Sequence, residues 1–488
     1  MLLHQCEWDD DHIEKPDRLK AILDAVSAKN DLEKSLLDGC KILESTEANL
    51  EDIYLVHGAH YVDTIRQTPN MSLQELEEFS SKHDAIYVNN HTWEASLLSA
   101  GCSLKIWKIP TPWAPCLFET PCGFCFFNNV AICAKKARVL GVKRVLILDW
   151  DVHAGQGTQY CVEGDPGIKL ISIHGYQHGD LWPKLPESAT VHQYKNTINV
   201  PLNDINNGDV EYITILNFLV LPLIADWKPE LILVSCGFDA ASGDGAHQTL
   251  TPGGYSYMTG VLAGLGIPLC LLYEGGYFIE SVAQCACFTI EALQDRKTPS
   301  FDLNLKTPLP SLLHSLYSTI FITQFMSPIM KTWMNFLNKY RLEKGKDSIV
   351  APQCEYTATK ETKTVYQTRG RFKSRNPKSV TELSKQLEQT LQSYKEPANL
   401  TGTILIEVHQ SGIGLIDTNN QNNFIMPLSS KVQLSAIYFY ILLPLSLSHQ
   451  PTPKPSSSSV DIGQGTLNIA LIPPSSLMIF LVQSQEFL

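Results

Sequence analysis

Four short apolar runs, at residues 145–148, 170–173, 231–234 and 269–273, constrain this chain more than any other feature. Each lacks polar alternation, which fits a strand covered on both faces rather than one half-exposed to water. Helical patterns at 130–139, 212–225 and 253–265 alternate with them. Strand–helix alternation of this kind builds a parallel sheet flanked by helices, an α/β fold.

The residues just past these runs carry the chemistry. The first run leads into Asp149-Trp150-Asp151-Val152-His153, the third into Ser235-Cys236-Gly237-Phe238-Asp239, and the fourth into Glu274-Gly275-Gly276-Tyr277. Side chains alternate along extended backbone, so Asp149, Asp151 and His153 share a face. Ligands of open α/β sheets gather at the carboxyl ends of strands. One Asp, one His and one further Asp can hold a divalent cation with positions left for water and substrate, and such a cation polarises a carbonyl. A tyrosine hydroxyl nearby can donate to a developing oxyanion. Read alone, Asp-x-Asp-x-His after a strand also fits a phosphatase-like or magnesium site, and carboxylates also cap loops.

The remainder of the chain is less directive. Residues 1–100 read as mostly helical, with Pro16 opening one helix and another at 73–82. A helix is expected at 309–340, and a short amphipathic one at 380–394 inside a polar stretch. Residues 400–488 contain Gln421-Asn422-Asn423 and Ser456-Ser457-Ser458-Ser459 and read as a low-complexity tail. The apolar run at 436–447 is too short to span a bilayer and Pro444 interrupts it, so no membrane partner is expected. The net charge of −12 argues against direct nucleic-acid binding. Thirteen cysteines in irregular places suggest free thiols in the cytoplasm or nucleus. Cys122 and Cys125 form one C-x-x-C pair, read as structural because a structural zinc takes four ligands.

The strand-end motifs, with Gly123-Phe124-Cys125-Phe126-Phe127-Asn128 and Ser172-Ile173-His174, occur in the order seen in zinc-dependent histone deacetylases. The sequence resembles that family over about residues 1–297, most like its class IIb branch of tubulin and polyamine deacetylases. The resemblance implies the arginase/deacetylase fold, zinc on Asp151, His153 and Asp239, and Tyr277 polarising the acyl carbonyl. It implies a substrate channel formed with Phe124, Trp182 and Gly276, and an exit channel lined by Arg18. It also implies a structural potassium ion on Asp149, the carbonyls of Asp151 and His153, Ser172 and the Ile173 carbonyl. Acetylated proteins (histone tails, tubulin or others) are the implied substrates, with a corepressor complex as a further partner. The expected organisation is a deacetylase domain at 1–297, a helical extension at 298–345 and a polar, disordered tail at 346–488.

The chain departs from the family at one critical place. The tandem histidines that precede the Gly-Phe-Cys motif, one of them the general base, fall here on Ala114-Pro115, and no histidine stands between His91 and His153. Ala154 replaces another usual histidine, and Glu119 is the one nearby carboxylate that could substitute. His57 and His60 read as packing or capping residues, His174 as support behind the metal, and His178 and His247 as rim loops. The resulting expectation is a protein lysine deacetylase with impaired turnover. Two other readings stand beside it: a zinc-containing acyl-lysine-binding scaffold, and an acetylpolyamine amidohydrolase. The polyamine-selective branch carries a gatekeeper glutamate where this chain has Ala246, which argues against the last.

Overall fold

The computed structural model describes residues 3–29, 34–105, 121–190, 196–294, 301–323, 329–335, 338 and 349–354, together with five strands between 404 and 471. The chain divides into two compact units, one of Met1–Ala263 with Ile267–Lys395, the other of Gly264–Gly266 with Glu396–Leu488.

The first unit is built on the expected parallel sheet. Its strands are β1 (Val145–Asp149), β2 (Ile168–Gly175), β3 (Thr197–Leu202), β4 (Leu231–Cys236) and β5 (Leu269–Tyr273), in spatial order β3-β2-β1-β4-β5. All four pairings are parallel. Every residue of β1 and β4 is buried, which is why their sequences are unbroken apolar runs. Val145, Ile147, Leu231 and Leu233 pack with Ile132 and Ala134 of the helix Asn129–Val139 and with Ile53, Val62 and Ile65 from the N-terminal helices. Each aliphatic side chain so buried contributes roughly 1.5–3 kcal/mol. The register sets Asp149 between Ser172 of β2 and Ser235 of β4.

Strand β3 is the element the sequence pattern hides. Asn199 and Pro201 break its apolar run, and Pro201 is tolerated because β3 is an edge strand. The helix Pro310–Thr323 covers that edge, with Thr319 Oγ1 donating to the Asn199 carbonyl at 3.2 Å and Asn203 Nδ2 donating to Ser315 Oγ at 3.3 Å. Beyond it, β6 (Phe301–Lys306) and β7 (Ala351–Cys354) pair antiparallel. The Cys354 N–H donates to buried Asp209 Oδ2 at 2.7 Å. The segment read as an extension after residue 297 is thus part of the first unit. The expected helix at 73–82 forms as Leu73–Ser81, and Ser72 and Glu75 close a reciprocal capping box at its start.

One described helical stretch, Asp209–Trp227, is long and apolar enough to cross a membrane, but 83% of its window is buried inside the protein. It is a core helix, enclosed along most of its length as its composition demands.

In the second unit, β8 (Ile404–His409), β9 (Gly412–Asp417), β10 (Asn422–Pro427), β11 (Ser457–Ile462) and β12 (Gly465–Leu471) form a sheet in order β10-β9-β8-β12-β11. The pairing is antiparallel except between β8 and β12. The expectation of a structureless tail therefore missed these strands. Ile404, Ile406 and Val408 recur at period two, a signal masked by the low-complexity flanks. The expected helix at 380–394 and the apolar run at 436–447 lie outside the described residues.

Lys136 and Asp52 make a buried ion pair at 2.6 Å, with side chains 7% and 8% exposed. Replacing Lys136 with Met leaves the Asp52 carboxylate buried and unpaired. Loss of such a partner costs about 3–5 kcal/mol, and denaturant unfolding of Lys136→Met should show a destabilisation of that order.

Candidate metal centre

Strands β1 and β4 run in register, so the backbone leaving each strand meets at one edge of the sheet. Asp151, His153 and Asp239 converge there, each offering one ligand atom, all within 4.8 Å of one another. It is the one such group of His, Cys, Asp and Glu among the described residues. His153 Nδ1 lies 3.1 Å from Asp151 Oδ1 and 3.1 Å from Asp239 Oδ2.

Backbone N–H groups hold the carboxylates from outside. Asp239 Oδ1 accepts the Val152 N–H at 2.7 Å and Asp151 Oδ2 accepts the Gly275 N–H at 3.0 Å. A zinc ion with ligands at about 2.0–2.1 Å in tetrahedral geometry separates its donors by about 3.3 Å. The observed spacing matches that edge, so the three residues fit the metal implied by the fold. The electrostatics agree. Burial, then the charge of Asp151, pushes the Asp239 carboxyl up to about 7. Burial opposes charge on His153, yet its bonds to Asp151 and Asp239 hold its pKa well above the ordinary histidine value. Without an ion, two carboxylates compete for one imidazolium; a divalent cation neutralises both.

Behind this trio, burial and then Asp151 raise the Asp149 carboxyl well above the usual range. Burial lowers His174 to about 4, so its ring is neutral. With Nε2–H donating to the Ser188 carbonyl at 2.8 Å, Nδ1 accepts from the Ser172 hydroxyl at 2.8 Å. That leaves Ser172 Oγ to accept the Gly155 N–H at 3.3 Å.

The loop after β5 carries Glu274 to Tyr277 and is anchored from two sides. Arg18, 2% exposed, donates Nε–H to the Gly276 carbonyl at 2.5 Å and an Nη2–H to the Glu274 carbonyl at 2.7 Å, and it pairs with Glu14. Its guanidinium stands 4.5 Å from the Tyr277 ring centroid. On the other side, Asp244 Oδ2 accepts the Tyr277 N–H at 2.6 Å and the Phe278 N–H at 2.9 Å. Burial pushes the Tyr277 phenol well above its ordinary value, so it remains a proton donor.

A cavity of about 1750 Å³ reaches these groups, and Phe124, Trp182, Arg18 and Tyr277 all line it. The Phe124 and Tyr277 rings meet edge to face at 5.8 Å, and the Trp182 and His153 rings at 5.7 Å. Gly123 and Phe124 both have positive φ, and the Cys125 N–H closes the turn on the Cys122 carbonyl at 3.1 Å. The C-x-x-C pair therefore forms a tight turn that aims Phe124. His57 is 3% exposed and accepts the Asn128 N–H at 3.0 Å, the packing role expected of it, while His60 lies exposed. His178 and His247 are not among the lining residues. Ala114, Pro115 and Glu119 lie outside the described residues. Sequence reasoning missed Asp244, Glu14 and Asp84 as supports, because each acts on groups far along the chain.

Fold and site together define an arginase/deacetylase fold with a candidate metal centre at its sheet edge. The chain belongs to the histone deacetylase domain family, which matches residues 12–109 and 116–293. The match omits 110–115, the stretch that holds Ala114 and Pro115. The chain is 37% identical over 334 residues to the mouse polyamine deacetylase HDAC10, covering 64% of this chain and 49% of that protein. It is 35% identical over 271 residues to histone deacetylase HDA1 of Candida albicans, covering 51% of this chain and 32% of that one. A crystal structure of the HDA15 HD domain superposes with a TM-score of 0.58 at 29% identity, covering 69% of this chain and 96% of that one. The chain spans about half the length of the polyamine deacetylases it matches.

Gly275 has no room for a side chain: a Cβ would stand 2.3 Å from Asp239 Oδ2 and 2.4 Å from Asp151 Oδ2. Gly275→Ala should displace both carboxylates and lower zinc affinity by about 10- to 100-fold, read by chelator competition, with the circular dichroism spectrum retained.

Proposed function

We propose that this chain is a zinc-dependent hydrolase that removes the acetyl group from a lysine side chain of a protein substrate, at a reduced rate. The observation that carries this reading is the convergence of Asp151, His153 and the fully buried Asp239, with Asp151 and His153 lining one cavity together with Tyr277. When bound, zinc supplies Lewis acidity toward an acyl carbonyl and toward water. Asp151, His153 and Asp239 would hold it. The Tyr277 hydroxyl donates to the acyl oxygen, where negative charge develops. Phe124 and Trp182 flank the aliphatic lysine chain beside Gly276, and Arg18 lines the route by which acetate leaves. Asp149, Ser172 and the carbonyls of Asp151, His153 and Ile173 are the proposed potassium ligands.

The reduced rate follows from the missing base. Three imidazoles line the cavity among the described residues, and each is engaged. His153 faces the carboxylates, His57 accepts the Asn128 N–H, and His4 bonds Thr92 Oγ1 at 3.1 Å. A positioned general base contributes about 10²- to 10⁴-fold, and turnover should fall short of a complete enzyme by that factor. The polyamine reading draws support from the names of the HDAC10 relatives, and Ala246 at the gatekeeper position weighs against it. The missing base equally favours a zinc-containing acyl-lysine-binding scaffold.

The experiment is hydrolysis of an acetyl-lysine peptide and an acetylated polyamine by purified protein of measured zinc content. Slow peptide turnover that is abolished by chelation and falls about 10²-fold or more in Tyr277→Phe is expected. Faster release from the polyamine would favour the amidohydrolase, and peptide binding without turnover the scaffold.

A further inference from the structure

Both aromatic walls of the cavity are tied to one short loop, Asp84-Ala85. The Asp84 carbonyl accepts the Gly123 N–H at 3.2 Å and the Ala85 carbonyl accepts the Phe124 N–H at 2.8 Å. The Asp84 side chain turns the other way, and its Oδ2 accepts the Trp182 indole Nε1–H at 2.8 Å. The indole lies directly over Gly123, where an added Cβ would come within 2.5 Å of Trp182 Cη2. Its other neighbour is the metal-facing His153 ring.

Two features mark this loop as more than a connection. Ala85 is held at φ 50°, in the left-handed region that costs a residue with a Cβ about 1 kcal/mol or more. Asp84 is 9% exposed, and its Oδ1 is buried without a hydrogen-bond partner. A half-paired buried carboxylate is unfavourable for stability, so packing alone does not explain it. A charged acceptor, however, makes a shorter and stronger bond to an N–H than a neutral one. Ala85 borders the cavity, whereas Asp84 is not among the residues that line it; Asp84 acts on the cavity through its neighbours.

From these contacts we infer that Asp84 is a positioning residue for the substrate channel: it fixes the angle of the Trp182 indole against His153 and registers it against the turn that bears Phe124. The kinetic part of its test rests on the proposed deacetylase reading; the spectroscopic part does not. In the full-length, zinc-loaded chain labelled with ¹⁵N-tryptophan, Trp182→Phe assigns the Trp182 indole resonance. Asp84→Ala should shift that resonance and speed its hydrogen exchange about tenfold or more, the worth of a charge-assisted hydrogen bond. Asp84→Asn, which keeps an acceptor and the side-chain volume, should move it less. In steady-state hydrolysis of an acetyl-lysine peptide, Asp84→Ala should raise KM about tenfold with kcat unchanged. On a Trp182→Phe background, which has no N–H to lose, it should add little. A Trp182 resonance unmoved by Asp84→Ala, or kinetic effects that add fully to those of Trp182→Phe, overturns the inference. Absence of turnover in every variant counts against the deacetylase reading, and the spectra then decide the role of Asp84 alone.

Discussion

Two carboxylates and an imidazole packed within 4.8 Å at the end of a buried sheet repel, desolvate and orient one another, and much of the first unit serves to keep them there. Like charges so close are tolerated only with a compensating cation or proton. The parallel pairing of β1 with β4 sets the distance between the Asp151 and Asp239 segments, and backbone N–H groups fix the outward-facing oxygens. The inward-facing oxygens then have one common direction, toward the space that a zinc ion fits.

The loop bearing Tyr277 depends on the same constraint. Gly275 donates its N–H to Asp151, so the segment that bears Tyr277 is tied to a candidate metal ligand. Arg18 and Asp244 grip that segment from opposite sides, one through its carbonyls and the other through its N–H groups. Charge-assisted bonds of this kind are the strongest available to a loop with little regular structure. Tyr277 is thereby held by Arg18 near the N-terminus and by Asp244 in the loop after β4, which no local segment of sequence could supply.

On the proposed reading, the centre keeps its three metal ligands and its oxyanion donor and lacks the family's histidine base. The family match breaks across the residues where the base would stand. Lewis acidity and a positioned donor survive such a loss, because neither depends on an imidazole; proton transfer does.

Much of this was legible in the sequence. Runs of unbroken apolar residues reported β1, β2, β4 and β5; β1 and β4 are buried on both faces and have no polar positions along those runs, while β5 keeps an apolar run although one face is half-buried. The period of two placed Asp149, Asp151 and His153 at one strand end. Strand β3 was not legible, because Asn199 and Pro201 mimic a loop and an edge position forgives them. The strands β8–β12 were hidden by the polar composition around them. The pairing of Asp244 with Tyr277, of Arg18 with the Gly276 carbonyl and of Asp84 with Trp182 was decided by tertiary structure alone. A hydrogen bond between residues far apart leaves no periodicity in either segment. Sequence by itself determined which candidate groups stand at the ends of β1, β4 and β5. Only the folded chain determined what holds each group at its angle, since that depends on which distant backbone the sheet brings alongside.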